Sequence, residues 1–515
     1  MSIAIMPNDF PAFPLDHLAL RGKPQAAALN IKGQVYNYKE LNNRVGRLAA
    51  FLRGAGLQDG DRVATWTAKG LLACLMPLAA PRAGLVHVPV NPLLKAAQVE
   101  HILVDSGAKL LIANKARAAS LNPPGSGEDY EIVDEKELTA TLDETVPTLP
   151  PLPADTDIDK LAAILYTSGS TGRPKGVMLS HANLALGAVS VAQYLKLQSD
   201  DTTLAVLPLS FDYGQNQLLS AWAAGGCAVP LDYLTPRDVV KACAKHDITT
   251  LAAVPPLWVQ LVEQEWCTKD GAEVGASMRR LTNSGGALTP SLVRDLRGIF
   301  GAKTDIYAMY GLTEAFRSTY LDPALIDDNP TSMGTAIPFA EIMVVRPDGS
   351  KAGAGEEGEL VHAGPLVAQG YWQDEARTAE RFKPAPDFSE YGGIAVYSGD
   401  TVRRDDDGRL TFVGRDDAMI KTSGNRVSPT EVEEVAVESG LVAEAVAMGR
   451  KDERLGEAII LFVRGVDGEA EEALRAHLKA ELPNFMLPAE IIWLDEFPRN
   501  ANGKLDRNGV AGRVP

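Results

Sequence analysis

What most limits the folds open to this chain is the recurrence of short apolar runs between longer amphipathic stretches. Ala162 to Tyr166, Leu204 to Pro208 and Thr250 to Val254 are such runs. Runs of this length read as buried strands, and the longer amphipathic stretches between them read as helices. The expected class is therefore α/β. No repeat of fixed period is present, so a solenoid or propeller is not expected. At 515 residues the chain is too long for one core, because a domain takes roughly 150 residues. About three folding units are expected.

The clearest punctuation comes late. The polar run Arg403 to Gly408 reads as a turn between two strands, and Gly414-Arg415-Asp416-Asp417 follows the second. Ser428-Pro429-Thr430-Glu431 has the form of a capping box with proline at the first helical position, and Val432 and Val435 supply an apolar face behind it. The last hundred residues or so thus read as a compact α+β unit of their own.

Charge and punctuation exclude several roles. A net charge of -17 argues against a nucleic-acid partner, which demands a cationic face. Met1 to Pro14 lacks the basic and apolar regions of a secretory signal, and the richest apolar stretch, Leu71 to Val90, is interrupted by Pro77, Pro81 and Arg82. No integral membrane segment is expected, and the expected location is the cytoplasm. Cys74, Cys227, Cys243 and Cys267 form no CxxC pair and the seven histidines no HExxH, so buried free thiols are expected rather than a disulfide frame or zinc site.

The chemistry concentrates in Thr167 to Gly176, where four hydroxyls and three glycines stand between two apolar runs. Glycines let a backbone approach phosphate, and hydroxyls and amide N–H groups then donate to it. It is not a Walker A loop, since a strand-like run, Val177 to Leu179, follows it rather than a helix. A flexible surface hairpin is the bland alternative; donor density and Lys175 favour phosphate.

This loop resembles the signature of the adenylate-forming superfamily, which includes acyl-CoA synthetases, luciferases and the adenylation domains of peptide synthetases. The resemblance continues in order: Tyr310-Gly311-Leu312-Thr313-Glu314 is similar to YGxTE, Tyr397-Ser398-Gly399-Asp400 to TGD with Ser for Thr, and Gly414-Arg415-Asp416-Asp417 to GRxD. Ile420 to Gly424 and Pro498 to Arg507, with Gly503-Lys504, resemble the last two motifs. The resemblance implies a large N-terminal domain of mixed sheets packed with helices over residues 1–414, a hinge at 415–417 and a small mobile α+β domain over 418–515.

It also implies roles. Thr167, Ser168, Gly169, Ser170, Thr171, Gly172 and Lys175 would hold the phosphates of ATP, with Gly311 beside them. Tyr310 would offer its ring to adenine, and Gly285, Gly286 and Ala287 after Ser284 would line the base and the acyl pocket. Asp400 and Arg415 would bind the ribose. Glu314, beside Thr313, would hold Mg²⁺, a hard cation that takes carboxylate and phosphate oxygens. Lys504 would be catalytic, because a carboxylate attacking an α-phosphate brings two anions together and a cation between them lowers the barrier; the alternative is a solvated surface lysine. With Asp417 as the hinge, the small domain would present either Lys504 for adenylation or Lys421 and Gly424 for thioester formation, Gly424 letting a pantetheine arm pass.

Pro208 to Gly214 would shape the acyl end through Phe211, Asp212 and Tyr213, with Trp258 as a further wall or as core. Phe211 stands where acyl-CoA synthetases tend to place His, and Phe211-Asp212 resembles amino-acid-activating members, in which the aspartate pairs with an ammonium. Asp212 in a pocket without a cation would be a costly buried charge; otherwise it caps a helix beginning near Gln215. The segment also resembles bacterial acyl ligases of the exosortase and exopolysaccharide type.

The expectation is an ATP-dependent, AMP-forming acyl-CoA synthetase, with fatty acid metabolism as its setting. Its ligands would be ATP, Mg²⁺, a small carboxylic acid, and CoA or the phosphopantetheine of a carrier protein supplied in trans; a homodimer is compatible with this. The alternatives are an amino acid or acyl ligase loading a carrier protein, and a non-catalytic nucleotide-binding relative, which Thr313, Glu314, Asp400, Arg415 and Lys504 together disfavour.

Overall fold

The computed structural model describes residues 12–121, 130–142, 147–167, 174–267, 274–286, 288–415, 419–466, 468, 470–498, 509–510 and 512. Among these, the strands form three sheets of fourteen, six and five strands. The two larger ones, with their helices, make up an α/β body, and the five-stranded sheet with two helices makes a smaller α+β unit, as expected.

The strand of Leu161–Thr167 covers the first apolar run and lies in the six-stranded sheet, parallel to Val86–Pro89 and antiparallel to Lys175–Ser180. Thr167 pairs with Lys175 in register, so residues 168–173 connect the two strands at their ends. The run from Leu204 is a strand only over Thr202–Ala205; Val206 to Pro208 continue past the end of that strand. Pro77 and Pro81, expected as interruptions, lie inside the helix Leu71–Arg82, and no helix among the described residues is long and apolar enough to cross a membrane.

The fourteen-stranded sheet changes character midway. Thr202–Ala205, Thr250–Ala253, Arg280–Asn283 and Asp305–Tyr310 run parallel, side by side. Beyond Asp305–Tyr310 the pairing is antiparallel, through Thr319–Tyr320 and Ser332–Ala336 to Leu410–Arg415, Ile394–Arg404 and Glu357–Ala363. The last two-strand connection at Arg403 to Gly408 is the turn read from the sequence, between Ile394–Arg404 and Leu410–Arg415.

The smaller unit packs the helices Pro429–Glu438 and Glu471–Glu481 on one face of its sheet through Val432, Ala436, Leu474 and Leu478. The capping box at its first helix is half formed. Ser428 Oγ accepts from the Glu431 amide, but the Glu431 carboxylate accepts instead from Gln98 Nε2, 2.8 Å away on the helix Ala96–Ser106 of the larger body. A distant amide donor has displaced the local one.

Candidate active site

The four parallel strands end on one side of their sheet, where ligands of open α/β folds bind, and a cavity of about 290 Å³ opens there. The segment after Thr202–Ala205 brings Phe211, Asp212 and Tyr213; Arg280–Asn283 leads into Ser284, Gly285 and Gly286; Asp305–Tyr310 ends in Tyr310, Gly311 and Thr313. Asn283 Nδ2 donates to the Gly286 carbonyl at 2.8 Å, which fixes that turn. Thr167 and Pro174, on either side of residues 168–173, reach the same cavity, as does Asp400. The smaller unit closes it with Lys421, Gly424 and Arg426.

Glu314 sits on the short 3-10 turn Thr313–Ala315, buried. Tyr371 Oη donates to its Oε1 at 2.7 Å, Lys175 Nζ donates to Tyr371 Oη at 2.9 Å, and Lys175 Nζ stands 3.5 Å from the same carboxylate oxygen. Burial alone would raise this carboxyl, but the Lys175 and Arg426 charges and the Tyr371 hydroxyl hold it down to about 2. It is a carboxylate at any physiological pH. Among the described residues no cluster of three acidic, His or Cys side chains could cage a metal. A single ionised carboxylate suits Mg²⁺, which keeps waters and substrate phosphates as its other ligands.

Tyr310 and Asp400 meet across the cavity, the phenol donating a short hydrogen bond to the carboxylate. The Asp400 amide donates to Ser398 Oγ at 3.1 Å, so the Ser that stands for Thr in this motif holds the irregular stretch of the strand Ile394–Arg404.

Asp212 lines the cavity, and it is not the helix cap that was one expectation for it. It is the first residue of the helix Asp212–Ala223 rather than its cap, which is Phe211 with no side-chain capping bond. It also already has a cation: Arg317 Nη1 donates to its Oδ2 and Thr313 Oγ1 to its Oδ1, both at 3.2 Å. Arg317 is itself 2% exposed and lies over the Tyr213 ring, its guanidinium carbon 4.4 Å from the centroid. Burial pushes the Asp212 carboxyl above its ordinary range, against the pull of Arg317.

The other expected residues divide. Lys421 lines the cavity with Nζ 5.1 Å from the centre of the Phe412 ring. Gly424 and Ser423, both at positive φ, form the two-residue turn between Ile420–Thr422 and Asn425–Val427. A Cβ on Gly424 would stand 2.6 Å from Val254 Cγ2, so the turn approaches the larger body by its backbone. Trp258 is fully buried in the core among Leu257, Leu261 and Leu288 and does not reach the cavity, which corrects its assignment to the acyl wall. Ser168, Gly169, Ser170, Thr171, Gly172, Ala287, Asp417 and Lys504 lie outside the described residues, and Arg415 is described only as a backbone partner of Asp400. Sequence reasoning missed Tyr371 and Arg317. The signal for Arg317 was an isolated cation three residues beyond Glu314; Tyr371 carried none without the fold.

Residues 17–372 match the AMP-binding enzyme family and residues 431–504 the AMP-binding enzyme C-terminal domain. An L-proline–[L-prolyl-carrier protein] ligase of Pseudomonas fluorescens is 31% identical over 510 residues, 95% of this chain and 97% of that protein. A feruloyl-CoA synthase of an Amycolatopsis species is 32% identical over 506 residues, 96% of this chain and 97% of that protein. The chain is also 32% identical over 492 residues to a probable non-canonical nonribosomal peptide synthetase of Salinispora arenicola; that match takes in 95% of the chain but only 6% of the synthetase. The solved o-succinylbenzoate CoA synthetase of Bacillus subtilis, bound to a product analogue, superposes with a TM-score of 0.85 at 25% identity, over 97% of this chain and 98% of that one.

Proposed function

We propose, from the premise that this chain belongs to the AMP-binding enzyme family, that it activates a carboxylic acid lacking an α-amine and transfers the acyl group to CoA. As an adenylate-forming ligase it binds ATP, and the two half-reactions follow from that. An oxygen of the carboxylate attacks the α-phosphorus, a P–O bond forms, and the α–β anhydride bond breaks to release pyrophosphate. The thiolate sulfur of CoA then attacks the acyl carbon, a C–S bond forms, and AMP leaves with the carboxyl oxygen.

The observation that carries the choice of acid is the Asp212–Arg317 pair. In amino-acid-activating relatives such an aspartate would meet the ammonium; here its charge is already answered inside the protein. A carrier-protein acceptor is the second reading, supported by the likeness to the prolyl-carrier ligase. The likeness to two CoA ligases favours the first. Neither a setting in fatty acid metabolism nor the exosortase-associated type finds support among these relatives, so the proposal is not narrowed to them.

In this reading Glu314 would hold Mg²⁺, and the ion would supply charge that offsets the phosphates. Lys175 and Tyr371 orient the Glu314 carboxylate, Tyr310 and Asp400 receive the nucleoside, and residues 168–173 cradle phosphate. Lys504 supplies the cation for adenylation, with 415–417 as the hinge between residues 1–414 and 418–515. Lys421 and the Gly424 turn border the path of the thiol.

Acid-dependent ATP–pyrophosphate exchange with fatty, aryl and amino acids tests the proposal, followed by thioester detection with CoA or a phosphopantetheinylated carrier. Exchange with fatty or aryl acids and an acyl-CoA product are expected. Exchange with amino acids alone, or transfer only to the carrier, would sink the corresponding half.

A further inference from the structure

A second, smaller cavity adjoins the first and shares Tyr213, Met309 and Arg317 with it. At about 20 Å³ it has room for a group the size of a water molecule or hydroxyl. One wall is a single face of the helix Asp212–Ala223. Tyr213, Asn216, Gln217 and Ser220 recur there at the spacing that stacks side chains on one side of a helix. Thr203, on the strand Thr202–Ala205, also lines it.

A helix buried on this face would ordinarily present apolar residues. Here both side-chain polar atoms of Asn216 and of Gln217, together with Thr203 Oγ1 and Arg317 Nη2, are buried without a protein hydrogen-bond partner. These side chains are at most 4% exposed as residues. Buried polar groups are as a rule bonded, so six unmet atoms on residues that line one small space, beside the apolar Val191, Leu195 and Ala252, point to a polar occupant. Its charge is already balanced, because Arg317 is paired with Asp212. A second carboxylate or an ammonium would enter as an unpaired buried ion. The two amides offer donors and acceptors alike.

Resting on the acid-activating reading above, we infer that the acid carries an uncharged hydrogen-bonding group, a hydroxyl or carbonyl oxygen, at the end remote from its carboxylate. That group passes Tyr213 and Arg317 and is held by Arg317, Asn216, Gln217 and Thr203. A purely hydrocarbon tail of equal length leaves these atoms unmet, and a site built to bond such a group rejects the analogue lacking it far more strongly than an apolar pocket rejects an extra methylene.

The test is pyrophosphate exchange with matched acids: ω-hydroxy, ω-keto, ω-methyl, ω-carboxy and ω-amino acids of four to ten carbons, and 4-hydroxy-, 4-acetyl- and 4-methyl-substituted aryl acids. At the best chain length the hydroxy or keto acid should exceed its methyl counterpart in kcat/KM by about 100-fold or more. Asn216→Leu, and the nearly isosteric Thr203→Val should the first fail to fold, should shrink that ratio by about tenfold, a readout that general loss of activity does not move. Equal or better use of the methyl acids, preference for the charged acids, or an unchanged ratio in a folded variant overturns the inference while leaving acid activation intact. Absence of exchange with every acid overturns both.

Discussion

Two buried ion pairs hang from the same short stretch of chain, and they are wired in opposite senses. Glu314 and Arg317 stand three residues apart at the 3-10 turn Thr313–Ala315. On one side Glu314 meets Lys175, with Tyr371 bridging and Arg426 nearby, and its carboxyl is held down to about 2. On the other, Asp212 meets Arg317 alone among the cations of the described residues, and its carboxyl is pushed above the ordinary range by burial. The two carboxylates are equally buried, so exposure of the acid does not separate the pairs. What separates them is the number of cations converging on the acid. In the proposed reaction the first pair faces phosphate and metal, where a standing charge is useful; the second faces the acyl end, where charges must cancel locally.

The comparison breaks most directly at Arg317. Arg317→Met leaves Asp212 buried without its cation and should destabilise the fold by about 3–5 kcal/mol, read by denaturant unfolding. Adding Asp212→Leu to it should recover much of that loss. If Arg317→Met alone is neutral, the pair is not what keeps Asp212 ionised.

On the phosphate side, Lys504→Ala should lower acid-dependent exchange by about 10²–10³-fold, the usual cost of removing one preorganised partner of developing charge. Thioester formation from supplied acyl-adenylate should be nearly unchanged. Equal loss of both steps would count against separate arrangements for the two half-reactions.

Tyr371→Phe sharpens the contrast without removing a charge. The ring stays beneath Lys175, whose Nζ is 4.3 Å from its centroid, but the hydroxyl between Lys175 and Glu314 is lost. A net hydrogen bond is worth about 1 kcal/mol, so kcat/KM for ATP should fall by roughly fivefold. No change would mean that Lys175 alone orients Glu314.

A pH dependence is also expected where the two units touch. Burial pushes the Glu431 carboxyl up to about 7 from its ordinary 4.5. Between those values the folded protein keeps a proton that the unfolded chain releases. Stability from this group is therefore full below about 4.5 and falls as pH rises toward about 7, flattening above it. Glu314 has the reverse sign: its contribution is present above about 4.5 and is lost as pH falls toward about 2. Comparing Tm against pH for wild type and Glu431→Gln isolates the first; an unchanged slope would refute it.

Much of the frame was legible because it rests on local patterns. The strand at Ala162 to Tyr166, the turn at Arg403 to Gly408 and the proline-led helix after Ser428 follow from neighbours in the chain. Failures occurred where a side chain had a better partner far away. Asp212 was weighed as cap or ammonium partner, while its cation lies 105 residues downstream. Glu431 was assigned to a capping box, yet bonds Gln98 333 residues upstream. Trp258 was a plausible pocket wall until the packing around it closed. The orphaned amides of Asn216 and Gln217 could not be seen at all, since their oddity exists only once the helix is buried.

The turn at Gly424 has a mechanical consequence. Because the hairpin meets Val254 with main chain alone, the clearance between the two units there is smaller than one methyl group. Any side chain at that position acts as a wedge, and the seating of the small unit against the large one is gauged by an atom that glycine does not have.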